Sequence, residues 1–121
     1  TKLVKDLLLK TLEFTLGPDV RSQNIQMPIM RIAANIYGKD FLWSWLKKNW
    51  KKIVKKAGVG NPLLNRVVAS IGQVVEAKQE KEVRKFFKMN PLRGTEMTLE
   101  QTMERVRVSS KFLNSIKKEF S

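Results

Sequence analysis

The sequence predicts an all-α fold of about six helices joined by short loops. Three observations carry that reading. Apolar residues recur at three- and four-residue spacing through most of the chain. Glycine, proline and asparagine punctuate it at intervals of roughly one helix. No alternating run is long enough for a paired strand. The β-branched Gln73-Val74-Val75 is the nearest to one, and a lone strand has no ladder partner. At 121 residues and 42% hydrophobic content the chain is a single domain, residues 1–121, with enough apolar surface for a core.

The elements follow in order. Leu3, Val4, Leu7, Leu8, Leu12 and Phe14 give the first helix its face, and Gly17-Pro18 ends it. Ser22 to Asn24 offer caps for a second helix carrying Ile25, Ile29, Ile32, Ala33 and Ile36. Pro28 suits its first turn, which puts the start near Met27. Tyr37-Gly38 breaks the chain again, and Asp40 is the expected N-cap or first-turn acid of a third helix over about residues 40–57. There Leu42, Trp43, Leu46, Trp50, Ile53, Val54 and Ala57 share one arc. Lys47, Lys48, Lys51, Lys52, Lys55 and Lys56 cover the opposite half.

Gly58-Val59-Gly60-Asn61-Pro62 closes the third helix and opens the fourth, which carries Leu63, Leu64, Val67, Val68 and Ile71. Val83, Phe86 and Phe87 mark the fifth, which stops at Asn90-Pro91. Gly94 precedes the last helix, where Thr98-x-x-Gln101 spells a capping box. Leu99, Met103, Val106, Leu113, Ile116 and Phe120 form its apolar stripe. Antiparallel neighbours with short connections point to helical hairpins of the solenoid kind, although no repeat is visible by identity.

Two absences bound the chemistry. Without His there is no H-E-x-x-H zinc site, no Ser-His-Asp triad and no imidazole base. Without Cys there is no disulfide, thiolate nucleophile or zinc finger. No apolar run approaches the ~18–20 residues of a membrane span. The opening Thr1-Lys2-Leu3-Val4-Lys5-Asp6 has no signal-peptide character, and its mid-helix start suggests a piece of something longer.

The charge is strongly basic: 24 Lys and Arg against 11 Asp and Glu give +13. The lysine face of the third helix has the form of a phosphate- or lipid-binding surface. It is also what the solvated face of an amphipathic helix looks like in a lysine-rich chain, and that simpler reading is preferred. No recognition motif, interleaved surface aromatics or glycine-rich phosphate loop accompanies it. Trp45 breaks the pattern by falling on the wheel between Lys52 and Lys56. Stacking on a base is one role for such a residue; packing against another helix or a neighbouring domain is the commoner one. Trp45, Lys48, Lys52 and Lys56 are therefore the candidate interface or peptide-facing surface. Met27, Met30, Met89, Met97 and Met103 are scattered and read as gap-filling apolar residues. Glu96, Glu100 and Glu104, spaced i, i+4, have the form of a cation site, but acids are favoured at a helix N-terminus in any case. Glu80 and Arg84 form a favourable i, i+4 pair.

Several runs together resemble the C-terminal region of M1-family zinc aminopeptidases. They are Val20-Arg21-Ser22-Gln23-Asn24, then Ala33-Ala34-Asn35-Ile36-Tyr37-Gly38-Lys39-Asp40-Phe41-Leu42-Trp43, then Leu46-Lys47-Lys48-Asn49-Trp50-Lys51-Lys52-Ile53. The break Gly58-Val59-Gly60, the pattern Glu82-Val83-x-x-Phe86-Phe87, the stop Asn90-Pro91 with Gly94 and a long final helix agree in order and spacing. The nearest flavour is the branch of the tricorn-interacting factors and the puromycin-sensitive and endoplasmic-reticulum enzymes.

The resemblance implies antiparallel hairpins in a HEAT/ARM-like right-handed array at the C-terminal end of a multidomain aminopeptidase. Catalysis there belongs to a thermolysin-like zinc domain with H-E-x-x-H and G-x-M-E-N motifs, none of them in this chain. The expectation is a non-catalytic domain that closes over the active site and shapes the peptide-access chamber, with no cofactor of its own and zinc in the parent's catalytic domain. Its partners would be that catalytic domain and the parent's peptide substrate, in the cytoplasm and without a membrane. The isolated piece would self-associate through apolar ends. The alternative is a small basic helical nucleic-acid-binding protein, whose binding would weaken steeply with salt.

Overall fold

The computed structural model describes residues 2–120. Its helices are α1 (Lys2–Thr15), α2 (Gln26–Ala33), α3 (Leu42–Ala57), α4 (Leu63–Ile71), α5 (Glu80–Met89) and α6 (Glu96–Phe120). Single 3-10 turns, Ser22–Asn24 and Ala77–Gln79, sit in the α1–α2 and α4–α5 connections. No strand occurs among the described residues, so the all-α expectation with about six helices holds. Residues 73–75 are turn and irregular backbone, with the Val75 side chain buried.

The centre of the fold is α4. Its two turns bury Leu63, Leu64, Val67, Val68, Ser70 and Ile71. It packs against α2 on one side, α6 on the other and α3 as well, while α1 packs on α2. The only polar side chain buried within α4 is satisfied, because the Ser70 hydroxyl donates to the Val67 carbonyl at 2.6 Å. From α5 the contact to α3 runs through four aromatic rings. Trp43 meets Phe86 edge-on at 5.5 Å, and Trp50 meets Phe87 edge-on at 5.2 Å. Phe86 and Phe87 also cross at 5.2 Å. Each such pair adds about 0.5–1.5 kcal/mol beyond area burial.

Asparagine side chains finish the helices. Asn61 donates through Nδ2 to the Ala57 carbonyl at 2.9 Å, and its Oδ1 accepts from the Leu63 N–H at 3.1 Å. One amide thus serves the C-terminus of α3 and the N-terminus of α4. Asn90 donates to the Phe86 carbonyl from both its backbone and its side chain, ending α5 before Pro91.

Four local expectations are corrected. The N-cap of α3 is Phe41, not Asp40, which is exposed in the preceding turn; Phe41 is buried and Lys5 Nζ lies 5.7 Å from its ring. Ile36 does not extend the face of α2. The helix stops at Ala33 because Gly38 folds back on it, and a Cβ there would strike the Ile32 carbonyl oxygen. Ile36 is left 72% exposed. Thr98 does not cap α6, which already starts at Glu96; its hydroxyl donates to Asn65 Oδ1 on α4 at 2.7 Å. Finally, the stripe of α6 is divided. Met103 and Val106 are buried, whereas Leu113, Ile116 and Phe120 are exposed, because 25 residues of helix outrun the short helices they pack on.

Candidate functional site

The lysine face of α3 is shaped by what crosses its flanks. Trp45 is only 8% exposed and belongs to the core. The α1–α2 connection lies against α3: the Ser22–Asn24 turn packs on the helix, and Lys56 Nζ donates to the Gly17 carbonyl at 2.6 Å. A helical wheel holds no record of what packs on the helix from elsewhere in the chain, so it places Trp45 on the solvent side. Lys56 is drawn into the fold, while Lys48 and Lys52 stay exposed. The four candidate residues therefore do not form one open patch: two are tied into the fold and two point to solvent.

Lys47, at the other margin, is also engaged. Its Nζ lies 2.6 Å from Glu82 Oε1 on α5 and 5.3 Å from the centre of the Trp43 ring. The Lys47 hydrogen bond is the main reason the Glu82 carboxyl is held below its usual range. The Trp43 indole N–H is buried without a hydrogen bond of ordinary geometry, and its dipole acts in the same direction on Glu82.

Arg84 is the hub between α5 and α6. Its guanidinium takes Glu100 with both ends, Nη1 to Oε1 at 2.6 Å and Nη2 to Oε2 at 3.0 Å, while Nε reaches Glu80 Oε2 at 2.7 Å. Arg107 adds a longer contact to Glu80 at 3.5 Å. The fork lowers the Glu100 pKa and raises that of Arg84. Glu96 caps locally by accepting the Gly94 N–H at 2.9 Å. Two of the three spaced glutamates of α6 thus have protein donors. Among the described residues no three His, Cys, Asp or Glu side chains converge.

Several grooves stay open on the described surface, and three of them have apolar walls beside these helices. One of about 570 Å³ lies between α1 and α2, with Leu8, Val20, Met27, Pro28 and Ile32 in its walls. A notch of about 310 Å³ separates Val75 and Ala77 from Val106 and Leu113, beneath the projecting end of α6. The third, of about 420 Å³, runs between the last turns of α3 and the α5–α6 connection. Lys51 and Lys55 flank it, with Val54, Val59, Pro91 and Leu92. Reading the lysine face as a whole missed this groove. The signal was present in Gly58-Val59-Gly60, an apolar residue between two glycines that take positive φ, 92° and 86°.

A layered helical domain with open apolar grooves and a basic outer helix is the class this fold defines. The chain belongs to the ERAP1-like C-terminal domain family, whose model matches residues 4–108. It is 30% identical over 117 residues to Aminopeptidase M1-B of Oryza sativa subsp. japonica, covering 97% of this chain and 13% of that protein. It is 30% identical over 110 residues to the mitochondrial Aminopeptidase 2 of Saccharomyces cerevisiae, covering 89% and 11%. Against Aminopeptidase N of Oryctolagus cuniculus the figures are 28% over 117 residues, 92% and 12%. The chain spans about an eighth of the length of the curated relatives it matches. The resemblance to M1 aminopeptidases is thereby shown, and these relatives, from plants, yeast and mammals, do not single out one branch of them.

Proposed function

We propose that this chain is the non-catalytic C-terminal helical domain of a zinc-dependent M1 aminopeptidase, closing over the active site and shaping the chamber through which peptides enter. The observation that carries the reading is the family match over residues 4–108, set in relatives named as aminopeptidases of which the chain is about an eighth. In this reading residues 1–121 are one domain of a larger polypeptide of the tricorn-interacting and puromycin-sensitive branch, acting in the cytoplasm. Alternate helices α2, α4 and α6 pack in succession, which supports a HEAT-like stack of hairpins. The α1–α2 groove supports continuation of that stack into the rest of the polypeptide. Zinc belongs to the catalytic domain; this chain has neither His nor Cys to hold it.

The test is made on the full gene product. Release of N-terminal residues is measured for peptides of increasing length, with the intact protein and with one lacking this segment. The intact enzyme should discriminate by length, and loss of the segment should flatten that dependence. A gene product close to 14.0 kDa, or amino-acid release by the isolated chain with added zinc, overturns the reading. The nucleic-acid alternative is weaker, because all three Trp residues, the natural stacking platforms, are buried.

A further inference from the structure

The groove between α3 and the α5–α6 connection has a lining of two unlike kinds. The charged part is Lys51 and Lys55, one helical turn apart and exposed. Neither has a carboxylate partner among the described residues, in contrast to Lys47 with its Glu82. The apolar part of the lining is Val54 on α3, Val59 in the α3–α4 connection, and Pro91 and Leu92 in the α5–α6 connection. Val59 is 78% exposed although apolar, and the flanking glycines with positive φ set the backbone that holds it out.

The spacing of these residues favours one kind of occupant. Lysines four apart on a helix are separated by about 6 Å along the axis. Alternate side chains of an extended segment are about 6.6 Å apart and share one face, while those between them share the other. An extended segment with carboxylates at every second position can meet both lysines, and its intervening apolar side chains then face Val59, Pro91 and Leu92. The volume, about 420 Å³, lies at the small end of ligand clefts, about 300–1,000 Å³, and suits a few residues of one segment better than a folded domain. A second copy is disfavoured by charge, since each chain carries +13. A nucleic acid is disfavoured by the walls, because Trp50 lies beneath the groove at 3% exposure and offers no stacking face.

We propose that this groove docks an extended acidic segment of a partner protein in which Asp or Glu alternates with apolar residues. The proposal does not depend on the parent's catalytic activity. It is tested on the full-length protein by fluorescence anisotropy with the fluorescein-labelled peptide Gly-Glu-Leu-Glu-Leu-Glu-Gly. Saturable binding that weakens with salt is expected. Lys51→Glu with Lys55→Glu should lower affinity by about tenfold or more. Val59→Ser, on an exposed loop where folding is not at stake, should lower it several-fold. Lys48→Glu with Lys52→Glu, on the neighbouring face, should have the smaller effect of distant charge. The permuted peptide Gly-Glu-Glu-Glu-Leu-Leu-Gly should bind more weakly than the alternating one.

Several outcomes overturn the proposal. They are no binding at low salt, equal binding of the two peptides, or equal loss from the two lysine pairs. Displacement of the peptide by a duplex oligonucleotide at lower concentration would make the surface one for nucleic acid. Protection of Lys51 and Lys55 from acetylation in the free full-length protein would show the groove already covered by its own polypeptide.

Discussion

Gly38 shows how one side chain position sets a boundary. The turn after α2 brings its backbone against Ile32 so closely that any Cβ meets the Ile32 carbonyl oxygen. The obstacle is backbone, so it cannot rotate aside. Gly38→Ala should cost about 1–3 kcal/mol, the usual range for overpacking, read as a lowered urea midpoint with an unchanged m-value. Unchanged stability would mean that the turn can relax. The same close approach explains why Ile36, apolar and in register with α2, ends up in solvent. Trp45 is the converse case: its wheel position is polar, yet its side chain is buried in the core.

At the scale of elements, α5 is held by two kinds of contact. Aromatic edges join it to α3, and ion pairs join it to α3 through Lys47–Glu82 and to α6 through Arg84–Glu100. Exposed pairs contribute little each, because solvent screens them, so the rings dominate cohesion and the charges set register. The pH dependence follows from the sign of the shifts. Glu82 and Glu100 have folded-state pKa values below those of the unfolded chain. Their contribution is therefore complete above the ordinary carboxylate pKa of about 4.3, and is lost as pH falls through the depressed folded values. The urea midpoint should be nearly level from neutral pH down to about 5 and fall below about 4. Lys47→Ala with Arg84→Ala should make that acid slope shallower; an unchanged slope would assign it to other carboxylates.

Across the whole molecule, apolar surface is left uncovered at both ends. Leu3, Leu7 and Phe14 are exposed on α1, and Val108, Phe112, Leu113, Ile116 and Phe120 on α6, the last at 83%. The family match stops at residue 108, while α6 continues to Phe120. Helices that expose this much apolar surface should associate when the chain is isolated. Light scattering of the isolated chain should show a mass that rises with concentration. Added salt should strengthen the effect by screening the +13 charge. Phe112→Glu with Ile116→Glu should reduce it. A monomer over a wide concentration range would show that these surfaces do not pair.

Periodicity and punctuation determined the helices, their number and their apolar faces, because those features depend on residues within one or two turns of each other. The Leu42–Trp50–Ile53 arc of α3, the stop at Asn90-Pro91 and the Glu80–Arg84 pair were all legible in this way. The ordered motifs also sufficed to place the chain among M1 aminopeptidase C-terminal regions. Only the tertiary structure decided which parts of those faces are covered. It buried Trp45, tied Lys56 to Gly17, left Lys51 and Lys55 without carboxylates beside Val59, and ended the core of α6 at Val106. Each of these depends on where a distant segment crosses or how far a neighbouring helix reaches, and local spacing carries no record of either.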